Sequence, residues 1–138
     1  VAMTAAETGH LLIATLHTNG AVNTIDRIID SFPSAQQAQV RIQMSMVLRT
    51  VVSQQLLPDK RGGMIPAYEI MHMNPAIRSM IRDCKNHQID NAIAAGASEG
   101  MCSMDQSILD LYRRGFIRPR WITPTTRIRC SAAWDKRI

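Results

Sequence analysis

Hydrophobic and polar positions change period several times along this chain. Leu11 to Leu16 is a short apolar run bracketed by His10 and His17. Ahead of it, Thr4 to Thr8 reads as the end of a helix, with Gly9 as its C′ cap. After it, Val22, Ile25, Ile29 and Phe32 fall at i, i+3, i+7 and i+10, one face of a second helix. The order helix, buried strand, helix predicts one unit of an α/β sheet, in which ligands bind outside the carboxyl ends of the strands. His17 to Gly20 is the loop at that end. Thr18 or Asn19 can cap the helix that follows, and the free amides of that helix favour an anion such as a phosphate.

Further elements follow in order. Phe32-Pro33-Ser34 breaks the second helix, and Ser34-Ala35-Gln36-Gln37 has the capping-box pattern. A long helix is expected next, with Val40, Met44, Val47, Val51 and Gln54-Gln55 near one stripe. Asp59-Lys60-Arg61-Gly62-Gly63 is a turn joining Ser53–Leu57 to Met64–His72 as a hairpin. Asn74-Pro75 places Asn at an N-cap and Pro at N1. The amphipathic helix it starts turns Ile77, Met80 and Ile81 inward, with Arg78 and Arg82 one turn apart on another face. A short helix from His87 to Ala95 stops at Gly96. Ser103-Met104-Asp105-Gln106 is a second capping box, and its helix ends at Gly115 with Met104, Ile108, Leu111 and Tyr112 on one face.

Composition narrows the class. The 138 residues allow one modest domain or a domain with an appendage, and 46% hydrophobic content suits a globular core. Aromatics are only 4% while Met numbers nine, which implies an aliphatic, helix-rich interior. No run approaches the ~18 apolar residues of a membrane span, and Val1-Ala2-Met3-Thr4 lacks the basic start of a signal peptide. The chain begins without Met, inside a helix, which suggests a piece of something longer. Cys84, Cys102 and Cys130 are odd in number and unpatterned, fitting a reducing, cytosolic setting and no zinc site. The net charge of +5 is concentrated after Arg113, where Asp135 is the only acid. Nucleic-acid or anionic-membrane binding is the sharp reading of that ending. Without interleaved aromatics, a solvated face or an acidic neighbour is favoured.

Candidate chemistry is sparse. His10 and His17 lie roughly 23 Å apart along a strand at ~3.3 Å per residue, on opposite faces, so they cannot share a metal ion. Each must be read alone, as structural or functional. Glu7 ends a helix, where a carboxylate opposes the macrodipole; His10, a bound ligand or plain solvent exposure would each answer that. Arg78 and Arg82 are either solvated or reach across an interface, for which Arg is well suited. No Gly-x-x-x-x-Gly-Lys-[Ser/Thr] loop, Ser-His-Asp set or carboxylate pair completes an active site.

The residues singled out carry a resemblance. Ala5-Ala6-Glu7-Thr8-Gly9-His10, running into Thr15-Leu16-His17-Thr18-Asn19, resembles the histidine box of the secretion ATPases that drive type II secretion and type IV pili. Ile25 to Pro33 and Ser53 to Pro58 continue the match. Ala76-Ile77-Arg78-Ser79-Met80-Ile81-Arg82-Asp83 is close to the AIRNLIRE signature of the retraction branch, with Ser79, Met80 and Asp83 in place of Asn, Leu and Glu. Gly100-Met101, Met104-Asp105-Gln106 and Leu111 to Gly115 fit the same branch. After Ile117 the family has an acidic helical ending and this chain a basic, proline-broken one.

The resemblance implies an α/β fold: the C-terminal part of a RecA-like P-loop ATPase domain over residues 1–72, a small helical subdomain over 73–116, and an irregular basic tail over 117–138. It implies a cytoplasmic ring hexamer, peripheral at the inner face of the membrane, that hydrolyses ATP with Mg2+ to withdraw pili. Its partner would be an inner-membrane pilus platform protein, with no nucleic acid and no transmembrane segment. His17 and His10 would sense or position the γ-phosphate side of the site, with His17 touching nucleotide and Glu7 in the same box. Ala76, Ile77, Arg78, Ile81 and Arg82 would form the retraction motif. The P-loop and catalytic Glu would lie upstream of Val1, so these 138 residues alone would be inactive. The alternatives are the assembly or secretion branch, which usually carries a four-cysteine zinc insertion, and a non-enzymatic ring or platform module.

Overall fold

The computed structural model describes residues 2–119. The elements in order are α1 (Ala2–Glu7), α2 (Ala21–Asp30), α3 (Ser34–Val47), β1 (Thr50–Pro58), β2 (Met64–His72), α4 (Pro75–Arg82), α5 (Ile89–Ala95) and α6 (Met104–Arg113). Short 3-10 turns, Asn86–Gln88 and Gly96–Glu99, flank α5.

β1 and β2 pair antiparallel from Thr50↔His72 to Pro58↔Met64. Strict alternation sends Val51, Ser53, Gln55 and Leu57 to one face, opposite Met71, Glu69, Ala67 and Ile65. That inward face serves two cores. Val51 and Met71 join Ala21, Ile25 and Ile29 of α2, Val40 and Met44 of α3, Ile77 and Ile81 of α4, and Ile89 and Ile93 of α5. Leu57 and Ala67 join Met104, Ile108 and Leu111 of α6, together with Ile117. Fully burying an aliphatic side chain contributes about 1.5–3 kcal/mol, so this shared sheet face is what binds the helices to one another. Between the two apolar clusters, on the same face, sits the polar cross-strand pair Ser53↔Glu69.

Four local expectations change. The helix before the hairpin stops at Val47, since Leu48 is already extended (φ −62°, ψ 135°). The β-branched run Thr50-Val51-Val52 belongs to β1, so Val51 and Gln54-Gln55 lie in a strand and not on a helical stripe. Ser34 is the first residue of α3 and makes no side-chain cap; Pro33 holds the N-cap position. Gln37 reaches back instead to the carbonyl of Phe32, at 3.2 Å. The segment expected as one helix from His87 is a 3-10 turn followed by α5.

Other boundaries follow the sequence closely. Asn74 caps α4 by accepting the Ile77 amide at 2.9 Å, and Ser103 caps α6 by accepting that of Gln106 at 3.3 Å. On α6, Met104, Ile108 and Leu111 are buried while Tyr112 is exposed. Of the ending expected to be irregular, Ile117 is fully buried, and residues 120–138 lie outside the described part of the chain.

Candidate functional site

α1 ends as its glycine predicts. Gly9 takes φ +92°, and the Gly9 and His10 amides donate to the carbonyls of Ala6 and Ala5 at 3.1 and 3.2 Å. His10 is tied to the same turn. Its Nδ1 lies 3.0 Å from Thr8 Oγ1 and 3.2 Å from the Ala5 carbonyl. The Thr8 hydroxyl itself donates to Ala5 at 2.9 Å. His10 is therefore a helix-end group, held through its Nδ1. Glu7 is exposed beside it. No hydrogen bond or ion pair joins Glu7, His10 and His17 among the described residues.

The apolar run overturns the expectation of a buried strand. Residues 10–18 form neither helix nor strand and pair with no strand among the described residues. Leu11 is 89% and Ile13 85% exposed. The apolar sequence is that of a core strand, and the elements described here do not cover it. His17, at its carboxyl end, is exposed.

The helix start beyond His17 is the second correction. The expected side-chain caps, Thr18 and Asn19, are engaged otherwise. Thr18 Oγ1 meets Thr24 Oγ1 at 2.7 Å, and Asn19 offers its carbonyl to Asn23 at 2.6 Å. The N-cap is Gly20, at φ +88°, ψ 154°, with no side chain to give. Its acceptors come from the hairpin. Ser53 Oγ accepts the Gly20 amide at 2.9 Å, and Glu69 Oε1 accepts the Ala21 amide at 2.6 Å. The anion at the N-terminus of α2 is thus the protein's own carboxylate, placed where the helix dipole favours it by about 0.3–1 kcal/mol. Sequence reasoning missed Glu69. The signal was present: in Met64–His72 the inward positions read Ala67, Glu69, Met71, and an acid between two buried apolar residues requires a partner.

A polar groove of about 1010 Å³ opens beside this junction, with Asn19, Gly20, Glu69, His87, Asp90 and Asp105 among its walls. Asn86, buried, donates to Asp26 Oδ1 at 2.6 Å and so ties the turn before α5 to α2. No group of three or more His, Cys, Asp or Glu is placed to hold a metal ion among the described residues. No helix among them is long and apolar enough to cross a membrane.

The arginine signature divides in two. Ile77 and Ile81 are fully buried in the main core. Arg78 is half-buried, and its Nη1 donates to the carbonyls of Ser45 and Met46, the latter at 3.1 Å. It thereby caps the C-terminal end of α3, where unpaired carbonyls and the negative end of the dipole attract a cation. Arg82 and Ala76 are exposed. The two arginines are not one solvated face.

Comparison with known proteins places this geometry. A protein-family model described as "Type II/IV secretion system protein" matches residues 1–91. The chain is 47% identical over 120 residues to the twitching motility protein of Neisseria gonorrhoeae, covering 86% of this chain and 32% of that protein. It is 46% identical over 117 residues to the type IV pilus retraction ATPase PilT of Pseudomonas aeruginosa, covering 85% and 34%. The crystal structure of the pilus retraction motor PilT with bound ADP superposes with a TM-score of 0.78 at 42% identity, over 91% of this chain and 36% of that one. The chain therefore spans about a third of the length of the relatives it matches. Sequence and α/β fold agree, and the family model covers most of the residues: the chain belongs to the type II/IV secretion system protein family.

Proposed function

We propose that this chain is part of a hexameric motor ATPase that withdraws type IV pili, working in the cytoplasm against the inner face of the membrane and a platform protein there. The observation that carries this reading is the 46% identity, over 117 residues, to a relative named as a pilus retraction ATPase. In this reading His17 contacts the phosphates of ATP, and His10, with Glu7 in the same box, helps to position the γ-phosphate side of the site. The donor set fits in part. The exposed His17 imidazole takes no hydrogen bond among the described residues and can donate to a phosphate oxygen. The amides of Gly20 and Ala21 cannot, because Ser53 and Glu69 hold them. Mg2+ would take its ligands from other parts of a whole motor. The chain's own contribution is to hold and orient one imidazole and to supply the core under it. Residues 1–72 and 73–116, read as the partial ATPase core and helical subdomain, divide that labour between the site and the retraction motif of Ala76, Ile77, Arg78, Ile81 and Arg82.

No phosphate-binding loop occurs in the 138 residues. They alone are expected to show no ATP turnover, and the full-length protein that contains them is expected to hydrolyse ATP. A purified preparation of the 138 residues with steady, contaminant-free turnover would overturn the reading. So would a full-length protein that fails to restore twitching in a strain lacking its retraction motor.

A further inference from the structure

We infer that Glu69, seated beside Ser53, is the positioning residue of the histidine loop; the inference rests on the reading of His17 as the phosphate-facing group. Ser53 and Glu69 face each other directly across β1 and β2 and are 5% and 8% exposed. They take two consecutive amides, Gly20 at 2.9 Å and Ala21 at 2.6 Å. Those amides lie three and four residues beyond His17. The sequence separation is 33 residues for Ser53 and 48 for Glu69, so the hairpin, not the local chain, fixes where this loop ends.

The nearer ties bind the loop only to α2 itself, as when Asn23 donates to the Asn19 carbonyl at 2.6 Å. Gly20 lacks a capping side chain, and Thr18 is engaged with Thr24. The run before His17 pairs with no strand among the described residues. The far end of the run is tied to α1 through His10, and the two acceptors clamp the end next to His17 onto the hairpin. Glu69 Oε1 also lies 3.6 Å from where a Cβ on Gly20 would stand, so carboxylate and loop backbone are in close approach. A carboxylate on the orphan amide of a helix start makes a short, charge-assisted bond. Satisfying that amide internally removes it as a competing donor to an anion, and the exposed imidazole of His17 takes no hydrogen bond among the described residues. Glu69 acts through His17 and touches no substrate itself.

The test uses the full-length protein with Glu69→Ala, Glu69→Gln and Ser53→Ala, reading amide hydrogen exchange at Gly20 and Ala21 together with ATP kcat and KM. In Glu69→Ala, exchange at Ala21 is expected to rise by roughly tenfold or more, because its acceptor is gone. Its kcat is expected to fall by roughly ten- to a hundredfold, with KM for ATP within about threefold, as for a misplaced group. Glu69→Gln keeps an oxygen acceptor for the same amide and is expected to restore most of both. Unchanged exchange in Glu69→Ala, or a glutamine variant as impaired as the alanine one, overturns the inference. If Glu69→Ala does not fold, Ser53→Ala decides: faster exchange at Gly20 with lowered kcat supports the clamp, and wild-type behaviour overturns it. A wild-type protein without ATP turnover overturns the motor reading instead, and the exchange measurements still judge the clamp.

Discussion

Cys102 shows how one residue reports its surroundings. Burial pushes its thiol pKa up, and the nearby Asp110 and Glu69 carboxylates push it the same way, against a smaller lowering by the Ser107 backbone. The thiolate is the reactive form. Cys84 is exposed, so iodoacetamide at mildly alkaline pH is expected to label Cys84 well before Cys102, read by peptide mass. The linkage has a definite sign. The folded state holds the Cys102 proton more tightly than the unfolded state does. Its contribution is complete below the ordinary thiol range, about 8.5, and is lost as pH rises through the raised folded value. Denaturation midpoints are therefore expected to fall across that alkaline window, and to fall less in Cys102→Ser. Cys84 itself adopts φ +58°, the one positive φ outside glycine among the described residues.

At the scale of elements, α3 and α4 hold each other by their ends. Arg78 reaches from the first turn of α4 to the last carbonyls of α3, next to the core made by Ile77, Ile81, Val40 and Met44. Arg78→Ala is expected to cost about 1.5–3 kcal/mol, the range for a hydrogen bond from a charged group. Arg82→Ala, on the exposed side, is expected to stay within about 0.5 kcal/mol. Urea denaturation of the two variants separates the roles. Equal losses would mean that Arg78 contributes no more than its solvated neighbour. The same pair shows how far the sequence could be read. The 3.6-residue period placed Ile77 and Ile81 inward and Arg78 on another face, and Ile77 and Ile81 are fully buried. Period alone cannot say that a neighbouring helix ends under that arginine, because this depends on how α3 and α4 are stacked. Caps built from nearby residues, Asn74 and Ser103, were legible for the opposite reason: donor and acceptor are three residues apart. The cap of α2 was not, since its carboxylate comes from 48 residues away.

The hairpin was legible from the alternation in Met64–His72 and the Gly62-Gly63 turn, and the helix-to-strand change near Leu48 was not. There a run of β-branched residues overrode a stripe that still fitted a helix. For the whole molecule, the inward hairpin face carries both cores, and the cross-strand pair between them reaches the histidine loop. The candidate site was half visible in the same way. Its histidines stood out beside the apolar run, while the groups that hold their loop belong to the hairpin and needed the folded arrangement to be seen.

Leu11 to Leu16 has one more consequence. Six residues rich in Leu and Ile, with no charge, proline or glycine, pair with no strand among the described residues and expose their side chains. That is the makeup of a segment that adds to a foreign sheet or stacks with its own copies. The chain on its own should then self-associate as concentration rises, read by light scattering. Leu11→Lys with Ile13→Lys should suppress this while leaving the unfolding midpoint nearly unchanged, since both side chains are already in water. The run that marks the histidine loop would thus be, in the unassembled chain, a nucleus for aggregation.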